Sequence, residues 1–239
     1  MKKFLLPVLS LLSGIVMTSC NEKVDLLVSN DQTMGTVLAS EKAIITDQGV
    51  RYDIFSKDCD DGIYDLHRVF ISSDILREGK EPSSYDIHLR HYEPVGLPPY
   101  DSEQKRPAEG VQTDPVMINV MWVSGHYLNF RLVYAVPKGS DEGEHDFSFI
   151  TYREKEDDFF LIDILHDAHG EVYGATLDDK REWTVKTCFV SLPLESFYEA
   201  GSMSGTVTYE VHYTWYVTEN GKLTGRTQPN YLRGSFRAY

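Results

Sequence analysis

Four groups of residues in this chain have types and spacings that could do chemistry. Cys20 follows Met17-Thr18-Ser19, two of them small residues that lie extended in a peptidase, and its thiol would be the nucleophile that takes a diacylglyceryl group before cleavage. His166-Asp167-Ala168-His169-Gly170-Glu171 is the densest set of metal-ligand types, because neutral imidazoles and carboxylates suit zinc. The zinc-protease pattern needs two histidines one helical turn apart with a glutamate between them, which this segment lacks. Asp167 to Gly170 is therefore expected to be a hairpin turn between strands at Leu161 to Leu165 and Val172 to Thr176. Asp58, Asp60, Asp61, Gly62 and Asp65 offer the hard oxygens that calcium prefers. With Gly62 as the sixth loop position, Lys57 and Cys59 fall where the first and third ligands belong, so an acidic surface turn is expected instead.

The acidic runs Asp141 to Asp146 and Glu154 to Asp158 are expected to be solvated loops that discourage strand edges from pairing between molecules. Tyr100, Tyr173 and Tyr216 are the aromatic residues expected at the surface, where a ring can stack on a sugar, whereas Tyr209, Tyr213 and Trp215 are expected in the core. Serine, histidine and aspartate are all present, but no Gly-x-Ser-x-Gly elbow accompanies them. The expectation is a non-enzymatic protein with no catalytic residue, no metal site, no cofactor and no assigned ligand-binding residue.

Lys2 and Lys3 precede the apolar run Phe4 to Met17, which is too short to cross a bilayer and has the form of a secretory signal. Together with Met17-Thr18-Ser19-Cys20 it resembles a bacterial lipobox, Met17 standing where leucine is usual. An ordinary signal with an incidental cysteine is the alternative. Removal of residues 1–19 takes the formal charge from −14 to −16. A body so acidic is unsuited to a nucleic-acid backbone, which needs clustered cations, so no nucleic-acid partner is expected. It is equally unsuited to electrostatic membrane binding, which leaves lipid on Cys20 as the membrane tether. The 3 cysteines cannot build a disulfide framework, and whether Cys59 and Cys188 pair is open. The predicted location is the cell envelope, on the outer membrane, with its periplasmic and surface faces both open.

Nearly every patterned stretch after the tether has the period of a strand. Val50 to Phe55 follows the Asp47-Gln48-Gly49 turn, and Tyr85, Ile87 and Leu89 alternate with polar residues. Leu128, Phe130, Leu132, Tyr134 and Val136 share one face, as do Val207, Tyr209, Val211, Tyr213, Trp215 and Val217. Asn220-Gly221 signals a tight hairpin. Half of the 10 prolines fall between Pro94 and Pro115. The predicted division is a signal peptide over 1–19, a lipidated tether over 20–34, a small β domain over 35–93, a proline-rich linker or crossover over 94–115, and an antiparallel β-sandwich over 116–239.

Gly35 to Tyr92, with Asp47-Gln48-Gly49 and Arg68-Val69-Phe70-Ile71, resembles the N-terminal OB-like domain of the NigD-like lipoproteins of Bacteroidetes. The second half is similar to that family in Trp122 with Tyr127-Leu128-Asn129, in His145 ahead of the Phe147 strand, in Ile162 to His166 and in Phe189-Val190-Ser191-Leu192. The resemblance implies an all-β protein, an OB-like small barrel followed by a β-sandwich. It also implies binding or protection at the envelope, with immunity to a bacteriocin as its sharpest form and a protein toxin as partner. It carries over no catalytic residue. A glycan-binding or adhesion role is the rival expectation, and an enzyme the third.

Overall fold

The structure, a computed structural model, describes residues 26–103, 106–139, 145–154, 159–174, 180–197, 205–220 and 222–238. Cys20, the signal peptide and most of the two acidic runs lie outside them. The fold is all-β, as expected, with thirteen strands and no α-helix among the described residues.

Strands β1 (Val28–Leu38), β2 (Ala43–Thr46), β3 (Arg51–Lys57), β4 (Arg68–Glu78) and β5 (Ser84–Gly96) form the first unit. Their neighbours are antiparallel except β3 and β5, whose parallel pairing closes the strands into a ring, β3-β2-β1-β4-β5-β3. Gly49 lets the β2–β3 connection turn tightly, at φ 77°, and its N–H donates to the Thr46 carbonyl at 2.8 Å. The alternating residues of these strands fill the ring with Ile44, Tyr52, Val69, Ile71, Ile87 and Leu89.

The second unit contains β6 (Tyr100–Glu103), β7 (Met117–Ser124), β8 (Tyr127–Pro137), β9 (Asp146–Glu154), β10 (Phe159–Asp167), β11 (Trp183–Pro193), β12 (Gly205–Glu219) and β13 (Lys222–Ala238). Strands β11, β8 and β7 extend the first sheet, because β11 pairs in parallel with the end of β5 at Phe189–Val95 and Val190–Gly96. The other sheet runs β13-β12-β10-β9-β6. The predicted face of β8 supplies Leu128, Phe130 and Leu132 to the core between the sheets, where they meet Phe149, Ile162, Ile164 and Val211. Most neighbours are antiparallel, but β10–β12 and β6–β9 are parallel.

Three boundaries differ from the sequence expectation. Among the described residues regular structure begins at Val28, inside the segment expected as tether, because β1 already pairs there with Ile75 of β4. The proline-rich segment is not a free linker: β5 continues through Pro94, and Tyr100 to Glu103 pair with β9. Pro94 is tolerated because β11 joins β5 only from Val95 onward, leaving one side of the strand open where the proline lacks a donor. Nor do the described residues after Gly170, 171–174, form the start of a returning strand. His169, Gly170 and Gly174 have φ of 50°, 84° and 74°, which makes this stretch a chain of turns, and β10 finds its partners in β9 and β12 instead.

The two units are joined by a buried polar bolt. The Arg68 guanidinium, 1% exposed, is held by the Asp47 carboxylate through two bonds of 2.7 Å. It also donates to Ser191 Oγ and Asn129 Oδ1 at 3.0 Å each and lies 3.9 Å over the Tyr127 ring. Ser124 donates to the same Asp47 carboxylate, and Gly125 gives it room, since a Cβ there would stand 3.0 Å from the Asp47 carbonyl oxygen. A smaller apolar contact of Met34, Phe70, Val95, Trp122 and Phe189 seals the junction beside the bolt.

Candidate functional site: a strapped cleft

Strands β10 and β12 pair in parallel from Phe159–Thr208 to Asp163–His212 and then part. The chain from Thr113 to Val116 fills the gap. Asp114 N–H donates to the His166 carbonyl at 3.0 Å and Val116 N–H to the Thr214 carbonyl at 2.7 Å, so each parted strand regains a backbone partner. Thr113 Oγ1 accepts from His166 N–H at 2.7 Å, and the Asp114 carboxylate accepts from Ala168 N–H at 2.8 Å. Upstream, the turn Pro107 to Gly110 folds beside Arg106. Between this strap and strands β9, β10, β12 and β13 lies a cleft of about 1180 Å³, with Asp146, Asp163, His212, Gln228 and Asn230 in its lining.

Several charged groups of this region are paired. Arg106 grips Asp163 with three N–O contacts of 2.8 to 3.0 Å, and this bonding pushes the arginine further above its ordinary pKa. Tyr152, buried next to them, is pushed well above the usual phenol range by burial and then by the Asp163 charge. Glu210, 7% exposed, lies between His212 Nε2 at 2.7 Å and Arg233. Tyr231 stands beside His212 with its ring 58% exposed. Sequence reasoning missed Arg106, which lies in the proline-rich segment between β6 and β7, and Glu210, Arg233 and Tyr231, whose only signal was polar residues on the outward positions of β12 and β13.

The predicted metal-type cluster is divided by the fold. His166 turns inward, stacks on Phe147 and sits 2.8 Å from His145. Its Nδ1 must donate to the Pro115 carbonyl at 3.1 Å, so in the neutral pair Nε2 accepts from His145 Nδ1. Burial first, and His145 second, lower the His166 pKa to about 4. His169 instead faces outward and bridges Asp146, at 3.0 Å, and Asp167. Among the described residues no three potential ligands stand together as a metal site.

Elsewhere, Asp60 accepts from Tyr92 Oη and Gly62 N–H, and Asp61 pairs with Lys57, which makes the acidic turn a closed local structure. Of the aromatic assignments Tyr216 reverses, while Tyr173, expected at the surface, and Trp215, expected in the core, are both half-buried. Tyr216 is 3% exposed, because Tyr173 covers it: its Oη accepts from Tyr173 N–H at 2.9 Å and the Tyr173 ring stands edge-on to it at 5.6 Å. Tyr100 is exposed as expected. Cys59 and Cys188 are both free and belong to different cores. Ser56 Oγ lies 2.8 Å from His88 Nδ1, whose Nε2 is 3.1 Å from Asp58, yet Ser56 and Asp58 are exposed on the outside of the barrel.

Residues 98–212 match the model of the NigD-like C-terminal beta sandwich domain. No curated protein matches the chain. Among solved structures, a Bacteroides vulgatus ATCC 8482 protein of unknown function, DUF1344, is 15% identical with a TM-score of 0.60, over 88% of this chain and 91% of that one. A NigD-like immunity protein of Bacteroides caccae ATCC 43185 is 16% identical with a TM-score of 0.57, over 85% and 92%. A Bacteroides fragilis NCTC 9343 protein classed provisionally as a lipoprotein is 11% identical with a TM-score of 0.55, over 86% and 97%. These identities speak for the fold. Residues 98–212 are thus similar to the NigD-like C-terminal beta sandwich domain, and the chain shares its β fold with these Bacteroides proteins.

Proposed function

We propose that this protein is a non-catalytic, lipid-anchored protein of the cell envelope that acts by binding, with protection against a toxin encoded beside it as its sharpest form. The observation that carries the reading is the strapped cleft, in whose lining Arg106 and Asp163 are committed to each other and beside which Arg233 pairs with Glu210. Such a site offers hydrogen-bonding edges to a partner, and its most buried carboxylate, Asp163, is already taken up by an arginine. The likeness to a NigD-like immunity protein favours a protein toxin as that partner, and the Cys20 motif supports the lipid tether and an outer-membrane location.

The direct test is to delete the gene and challenge the strain with the product of the neighbouring toxin gene. Sensitivity that rises on deletion and is restored by the wild-type chain supports protection. Unchanged sensitivity, or the lack of such a gene nearby, defeats that form. The exposed Tyr231 beside His212 favours a second reading, glycan binding, because an exposed aromatic residue can pack against a sugar. Absence of binding across host and dietary glycans would remove it.

A further inference from the structure

The first described residues form an apolar strip on an ordered backbone. Leu26, Leu27 and Val28 are 47%, 55% and 44% exposed. Their main chain is nevertheless fixed, since Leu27 N–H donates to the Ile75 carbonyl at 2.9 Å and Val28 is in register with Ile75. Three adjacent exposed aliphatic side chains on a fixed strand end are costly in water and call for a cover.

Position in the chain identifies the cover. Leu26 follows Cys20 by six residues, which span at most about 20 Å even when fully extended. If Cys20 carries lipid, this end of the barrel cannot leave the neighbourhood of the bilayer. From there β1 runs away to Met34, which is 3% exposed and packs with Phe189 of β11 in the junction to the sandwich. Six strand residues separate Val28 from Met34, a rise of about 20 Å.

We propose that the Leu26-Leu27-Val28 end of the barrel rests on the lipid surface that holds Cys20, so that the barrel is a spacer that keeps the sandwich and its cleft off the membrane. The inference rests on the reading of Cys20 as a lipid acceptor and goes beyond it, because a tether alone sets no orientation. The acyl chains supply the affinity, and the strip supplies the direction.

The test places a photoreactive residue in the full chain in its native membranes, as Leu27→p-benzoylphenylalanine or, on the exposed sandwich surface, Val185→p-benzoylphenylalanine. Acyl labelling and membrane fractionation are followed in the same samples. The expected result is a phospholipid adduct at position 27 and none at 185, in acylated, membrane-bound protein. Acylated, membrane-bound protein with no adduct at 27, or with equal adducts at both positions, overturns the spacer and leaves the anchor standing. Protein that is neither acylated nor membrane-bound overturns both. As a second readout, Leu26→Asp/Leu27→Asp should reduce labelling of the barrel by a lipid-borne photoprobe to background while acylation persists, and undiminished labelling would contradict the proposal.

Discussion

Arg68 and Asp47 face each other inside the protein, two guanidinium nitrogens each 2.7 Å from a carboxylate oxygen, with side chains 0% and 4% exposed. Their pairing ties a turn and a strand of the barrel to the sandwich through Ser191, Asn129 and Ser124. Arg68→Met leaves the Asp47 charge buried without its partner and is expected to cost about 3–5 kcal/mol. Arg68→Met/Asp47→Leu, which removes both charges, should recover much of that loss. Urea unfolding measures both, and an Arg68→Met protein as stable as the wild type would contradict the assignment.

The bolt also marks what the sequence could and could not disclose. Its members other than Ser124 lie within short motifs visible in the sequence, Asp47-Gln48-Gly49, Arg68-Val69-Phe70-Ile71, Tyr127-Leu128-Asn129 and Phe189-Val190-Ser191-Leu192. Alternation showed the β8 strand and its core face, since period two is a local property. That Arg68 meets Ser191, 123 positions away, leaves no local trace. The cleft was hidden for the same reason: it exists because two parallel strands part and a distant segment fills the gap, and parallel partners have no hairpin to announce them.

The neutral burial of His166 makes stability depend on pH. Its pKa is about 4 in the fold against an ordinary 6.5, so between those values the unfolded chain binds the proton more readily. The contribution is therefore complete above about pH 6.5, declines as pH falls towards 4, and amounts to about 3 kcal/mol. His145 and Asp114 face the same ring, so the quantity to compare is the wild-type stability minus that of His166→Gln. That difference should shrink as the pH is lowered through this window; a difference independent of pH would refute the neutral, buried state.

The two described cysteines should stay reduced and react unequally. Burial pushes the Cys188 thiol up to about 12 and raises Cys59 as well, but Cys59 is the less deeply enclosed. Alkylation of the native protein at mildly alkaline pH should reach Cys59 about tenfold faster than Cys188. Peptide mass analysis checks this, and a Cys59–Cys188 disulfide or a faster Cys188 would be at odds with separate cores.

Ser56, His88 and Asp58 are within hydrogen-bonding reach of one another in turn, but Ser56 and Asp58 lie exposed on the barrel surface. A nucleophile needs an enclosed site and donors for the developing oxyanion. A fluorophosphonate probe is therefore expected to leave Ser56 unlabelled. Labelling that disappears in His88→Ala would establish a serine hydrolase and overturn the binding reading.

Envelope location and the spacer role of the barrel both depend on Cys20. Acyl labelling with membrane fractionation of the wild type and Cys20→Ala tests this dependence most directly. The account predicts that the wild type incorporates fatty acid and sediments with membranes, whereas Cys20→Ala is unlabelled and released; equal labelling and equal sedimentation of the two proteins would contradict it.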